Sequence, residues 1–392
     1  MLINYIVMTY RNLVRHWLFS FINMVGLTIG LLCCLLIWLF VQNETGYDGQ
    51  FKDSQRTYRV TTKVERGGGQ EPIVVAITSP AVGPLLKANF TVIEDYSRLM
   101  MGSMEFSYQN KQFRERSYYA SENWFDMFDF TVLKGNLETS LRRPGSVVMT
   151  RNRAIKYFGS VEQALGKNMT VGGKYNVQVT AVIEDLPKTT HMAFNVLLSM
   201  DLLRQFEGDD VLEDWTGRAA GYTFIRIKSG QSVESVRNGM PDFVKNNIPN
   251  PEKNYFEVQQ IGDIYLHSDR KVEMKVNGDI KEVYTMAIVA AVILIMACFN
   301  YINLSTALAT IRSKEVGVRK VLGASRGQLM MQFITESAAM TIVAIAMALG
   351  ILVLILPAFN NFLSMALAFD WGSGVLWQGI VVIALFVMVF LY

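Results

Sequence analysis

Three histidines (His16, His191, His267) and three cysteines (Cys33, Cys34, Cys298) are the whole supply of imidazole and thiol groups in a chain of 392 residues. A structural zinc site draws four nitrogen or sulfur ligands from closely spaced pairs. No such Cys/His cluster occurs here, so no metal site is expected. No serine sits in the glycine spacing of a nucleophile elbow. Gly166-Lys167 has the dipeptide of a phosphate-binding loop, but Asn168 follows it and Gly159 is not at the required offset, so it reads as a turn. The acidic pairs Glu184-Asp185 and Asp209-Asp210 read as solvated loop charges rather than an acid/base couple. The chain is therefore not expected to be an enzyme, to hydrolyse ATP or to bind a cofactor itself.

The most informative spacing lies in Ala309–Gln328, where Arg312, Lys314, Arg319, Lys320 and Arg326 surround a single Glu315. Glu315 and Arg319 are an i,i+4 acid-to-base pair, worth about 0.2–0.5 kcal/mol on a helix. Val316, Val318, Val321 and Leu322 form a small apolar set, and Gly323 is a natural helix stop. The segment reads as a short amphipathic helix lying parallel to a membrane. A simpler alternative is that its positive charges only hold a loop on the cytoplasmic side.

Membrane insertion follows from the charge pattern. Charged residues make up 18% of the chain against 51% hydrophobic ones, where soluble domains carry about 25% charge. No Asp, Glu, Lys or Arg occurs in residues 16–43, 283–311, 337–369 or 371–392. A helix needs about 20 apolar residues to cross the hydrocarbon core. The expected fold is a membrane protein with four transmembrane α-helices and a large α+β extracytoplasmic domain inserted between helices 1 and 2. The divisions are a cytoplasmic amphipathic helix at 1–17, spans at 18–41, 283–309, 333–357 and 375–392, the inserted domain at 42–282, a cytoplasmic loop at 310–332 and an outer loop at 358–374. The first apolar run is too long for a cleaved signal peptide and lacks a small-x-small site. Arg11, Arg15 and the basic 310–332 segment place the N-terminus and that segment inside. The net charge of +3 does not favour a nucleic-acid partner.

Within the spans, Gly26 and Gly30 have the spacing that lets helices approach closely. Asn300, Asn303 and Thr310 can share a face and are expected to hydrogen-bond a neighbouring helix, with a substrate-lining role as the alternative. No ionisable group is deep in a span except Glu336 near the start of the third. Ion-coupled pumps keep such groups at mid-membrane, so any energy source is expected elsewhere. The insert, with 30 of the 37 Lys and Arg residues, shows hairpin signals at 58–64/73–78, 106–108/113–119 and 171–182. A strand at 147–150 leads into a helix at 151–158 that Gly159 stops.

Lys314-Glu-Val-Gly-Val-Arg-Lys-Val-Leu-Gly-Ala-Ser325 resembles the signature of MacB/FtsX-type ABC transporter permeases. Glu44–Asp48 with Arg56–Arg59, Tyr157–Gly159 with Leu165–Lys167, and Ile264–His267 agree with it. The resemblance implies a MacB-like periplasmic domain after one span, then three more spans in a bacterial inner membrane. It implies a coupling role toward a separate ABC ATPase for Glu315, Gly317, Arg319, Lys320, Gly323 and Ala324. ATP and Mg would sit on that ATPase, and motion would pass through the membrane to export a substrate. Further implied partners are a second permease half or a homodimer copy, a periplasmic adaptor and membrane lipid. The alternative is an FtsX-like signalling switch that controls an extracellular hydrolase or sensor. The chain ends on Phe390-Leu391-Tyr392 with no basic tail, which the resemblance leads us to expect of the first half of a longer duplicated permease.

Overall fold

A computed structural model describes residues 11, 14–15, 17–65, 69–109, 111–215, 218–249, 251, 254–323, 325–363, 365, 367, 378–381 and 384, with the side chains at 308–312, 314, 315 and 319 left out. The chain divides into two compact units, Met1–Thr45 with Ile280–Tyr392, and Gly46–Asp279.

In the first unit, helices α1 (Trp17–Thr45), α6 (Ile280–Val321) and α7 (Arg326–Leu363) are long and apolar enough to cross a membrane. Leu27, Leu31, Cys34 and Leu35 of α1 recur at helical spacing and pack with Leu294 and Cys298 of α6 and Ala344, Ala348 and Leu352 of α7. Phe21 and Ile29, Ile288 and Met296, and Ile342 and Leu354 point outward and are exposed. An apolar surface of that kind is stable against lipid, not water. The expected amphipathic helix at 1–17 lies almost wholly outside the described residues. Of the expected fourth span only 378–381 and 384 are described, and these are helical.

The separate membrane-parallel helix expected in 310–332 does not form. Helix α6 runs unbroken for 42 residues, and α7 begins five residues after it ends. Residues 307–321 contain no proline, and most are good helix formers. The one glycine among them, Gly317, costs about 1 kcal/mol relative to alanine, too little to end a helix. At 1.5 Å per residue α6 is about 63 Å long, roughly twice the hydrocarbon thickness.

The second unit is an α+β domain built on one 11-stranded sheet. Its strands are β1 (Thr57–Val64), β2 (Ile73–Val75), β3 (Ile93–Tyr108), β4 (Lys111–Ala120), β5 (Val132–Gly135), β6 (Ser146–Thr150), β7 (Asn168–Val171), β8 (Tyr175–Ile183), β9 (Val196–Ser199), β10 (Gly221–Ile227) and β11 (Asn254–Gln260). The order is β11-β1-β10-β3-β4-β9-β6-β8-β5, with β2 on β1 and β7 bridging β3 and β8. All three expected hairpins form: β1/β2, β3/β4 and β7/β8. Gly172 and Gly173 both have positive φ, as the tight β7/β8 turn requires. Helices α2 (Val82–Asn89) and α5 (Glu234–Asn247) cover the β1/β10/β3 region around Val60, Ile225 and Phe243. Helices α3 (Arg151–Phe158) and α4 (Met200–Glu207) cover the β6–β9 region around Tyr119, Val179 and Leu198. A third core gathers Trp124, Phe128, Phe194 and Phe224. The acidic pairs expected to be merely solvated are partly tied down: Glu184 pairs with Arg151, and Asp210 with Arg218 at 2.6 Å.

Candidate functional site

The turn between α6 and α7 is closed by local hydrogen bonds. Leu322 N donates to Val318 O (3.0 Å) and Gly323 N to Lys320 O (3.1 Å). Gly323 has φ 93, a left-handed conformation that glycine adopts without a Cβ penalty. Ser325 N then donates to Gln328 Oε1 (3.0 Å) while Gln328 N donates to Ser325 Oγ (3.3 Å). This reciprocal pair is a capping box that starts α7. The result is a short connection with a closed helix end on one side and a capped helix start on the other.

The hairpin tip is apolar and open. Val318, Val321 and Leu322 are 60%, 88% and 81% exposed, and Gly317, Lys320 and Gly323 are exposed beside them. A Cβ added at Gly317 would meet nothing within 4 Å. No packing within the described chain therefore demands glycine there. Glu315 and Arg319 fall on α6, but their side chains lie outside the description, and Ala324 lies outside the described residues altogether.

The expected helix-packing residues are brought together in part. A Cβ at Gly26 would lie 2.8 Å from Asn300 Nδ2, and one at Gly30 would lie 2.6 Å from Ala297 Cβ. The glycine pair thus receives α6 within the same chain. Asn303 is exposed. Polar links between the helices are made by other residues: Cys34 Sγ to Ala290 O (3.3 Å) and Tyr301 Oη to Ser337 Oγ (3.1 Å). Neither was legible from spacing, because each depends on how two helices are rotated against one another.

In the second unit a buried polar network joins segments that are far apart in sequence. Asp48 is buried in the left-handed region (φ 59), one that Asp tolerates better than most residues. Its carboxylate accepts from Thr190 Oγ1 and from His191 N, and lies 2.8 Å from His191 Nδ1. Lys275 Nζ donates to Thr190 O (2.8 Å), and burial lowers its pKa against the opposing pull of Asp48. Arg59 is fully buried and makes a two-pronged contact with Glu273, with Gln259 Oε1 at 2.9 Å and Ser268 Oγ at 3.2 Å. Burial pushes the Glu273 carboxyl up, but the hydrogen bonds and charge of Arg59 and the Ser268 hydroxyl outweigh it and hold it below the usual range. The Tyr47 and Tyr265 rings stack with centroids 3.3 Å apart. Residues 47–48 follow α1 and residues 273–275 precede α6, so both ends of the inserted domain are anchored to its interior. Composition and spacing assigned no role to Asp48, Arg59 or His191, and nothing pointed to Glu273 or Lys275. The available signal was that Asp48, Arg59 and Tyr265 all lie in the short motifs noted above. Among the described residues no group of three or more His, Cys, Asp or Glu side chains is placed to hold a metal ion.

Two family models match the chain: the MacB-like periplasmic core domain over residues 20–243 and the FtsX-like permease C-terminal region over 287–392. The uncharacterized ABC transporter permease YvrN of Bacillus subtilis is 20% identical over 368 residues, covering 90% of this chain and 86% of that protein. The macrolide export ATP-binding/permease protein MacB of Neisseria meningitidis is 20% identical over 262 residues, 66% of this chain and 38% of that one. The chain spans about half the length of several other curated relatives it matches. The crystal structure of the periplasmic region of MacB from Actinobacillus actinomycetemcomitans aligns with a TM-score of 0.39 and 16% identity, over 54% of this chain and 91% of that one.

Proposed function

The chain belongs to the family of permeases that carry the MacB-like periplasmic core domain with an FtsX-like C-terminal region, and on that premise we propose that it couples ATP hydrolysis by a separate ABC ATPase to movement of its periplasmic domain during export. The observation that carries this reading is the helical hairpin tip. Val318, Val321 and Leu322 are exposed at the end of a helix about twice as long as a bilayer core is thick. Exposed apolar side chains beside Lys320 at a rigidly capped turn fit a surface that a protein partner covers. In this reading the N-terminus and the hairpin are cytoplasmic, residues 42–282 are periplasmic, and ATP and Mg bind the partner. A rigid hairpin passes a push along α6 and α7 instead of absorbing it. The buried anchors at Asp48 and Glu273 then pass the displacement into the sheet.

The test is co-purification of the full-length chain with its cognate ATPase. Val321→Asp with Leu322→Asp is expected to abolish association while leaving membrane yield unchanged, because these side chains support nothing inside the described chain. The pair Glu315→Lys with Arg319→Glu is expected to weaken it. Unchanged association and unchanged ATP turnover in both variants would refute the hairpin as the contact.

A further inference from the structure

A cleft of about 450 Å³ opens in the second unit where β3, the β4–α3 segment and α4 meet. Its floor holds Arg98, which is only 8% exposed and has no carboxylate partner among the described residues. Nη1 donates to Pro80 O at 2.7 Å, and the buried Nε has no hydrogen-bond partner. The guanidinium carbon lies 5.4 Å from the Tyr96 ring centroid. A buried unpaired charge is costly, and arginine does not escape the cost by losing its proton. Arg59, in the same domain, shows the ordinary solution, a bidentate carboxylate. Arg98 lacks one.

The other walls say what would complete it. Arg204 of α4 lines the same cleft, and its charge acts repulsively on Arg98. Arg142 adds a third cation at the rim, with Asp126 a distant 3.8 Å away. The acids present are largely committed elsewhere. Asp95 accepts from Lys87 at 2.7 Å and from Asn123 at 2.8 Å, and Asp201 accepts from Gln205 at 2.8 Å. Glu122 is exposed. Met200, Leu212 and Pro144 give the cleft an apolar side.

We propose that this cleft binds a small oxyanion with an apolar body, a carboxylate or a phosphate monoester, held by Arg98 at the floor and Arg204 at the wall. Planar guanidinium groups match both oxyanions in a two-pronged geometry. The proposal does not rest on the transport reading, since it concerns the second unit alone.

The experiment is isothermal titration of the full-length chain in detergent micelles with phenyl phosphate and, separately, with benzoate. Inorganic phosphate serves as the probe without an apolar body. Saturable binding of phenyl phosphate or benzoate, tighter than that of inorganic phosphate, is expected. Arg204→Ser and Arg98→Lys are each expected to weaken it by roughly tenfold or more, the scale of a lost hydrogen bond to a charged group. Absence of saturable binding by both aromatic probes overturns the proposal, as does binding equally tight in the variants. Should Arg98→Lys fail to fold, Arg204→Ser decides alone, because Arg204 is exposed and its loss leaves the core intact.

Discussion

Arg59 and Glu273 are tolerated in the domain interior only as a pair, and that makes the domain sensitive to acid. The folded-state pKa of Glu273 lies below its ordinary value, which is about 4.3. The stabilisation is therefore complete above that value and is lost as pH falls through the folded pKa. Thermal melts followed by tryptophan fluorescence should show the native chain losing stability as pH falls below about 5. Glu273→Gln should melt lower at neutral pH and lose less across that acid range. An equally steep acid loss in that variant would remove the pair from the explanation. Little of this was legible beforehand. Arg59 stood in a recognisable motif, but its partner is 214 residues away, and only the folded sheet brings the two together. Gly317 is the converse case: its place in the motif was legible, and the open space around it shows that nothing among the described residues demands glycine there.

At the scale of elements, local pattern predicted what was local. The three hairpins and the helix stopped by Gly159 were readable because turn residues and period-two runs act over a few positions. The helix expected to lie along the membrane was wrong because the charges that mark a boundary between lipid and water do not interrupt helical hydrogen bonding. The glycine face of α1 gives a graded test. A methyl at residue 30 would collide with Ala297 Cβ, which α6 holds rigidly, whereas at residue 26 it meets the end of the Asn300 side chain, which can rotate. Gly30→Ala should therefore lower the melting temperature of the chain in detergent, and Gly26→Ala should lower it less. An equal effect at both positions would mean that α1 and α6 do not approach closest at residue 30.

For the molecule as a whole, the division into a helical unit and a sheet unit sets what can be tested about topology. In a chain with Cys33, Cys34 and Cys298 changed to alanine, a membrane-impermeant maleimide applied outside spheroplasts should label Lys111→Cys and leave Lys320→Cys unlabelled until the membrane is opened. The reverse result would invert the orientation we propose. The sheet also fixes the order of events during synthesis. β1 pairs with β10 and β11, so that Tyr58 lies opposite Ile225 and Gln260. A strand completed near residue 64 has no long-range partners until residues beyond 220 have been made. At about 5–20 residues per second that delay is of the order of 8–30 s. Through that interval β1 has only the short β2 beside it, and its unpaired backbone edge is open to aggregation or to a chaperone. The nascent domain is thus most vulnerable while α1 is the one long apolar helix yet made among the three described, a period whose length is set by where in the gene the two partner strands are encoded.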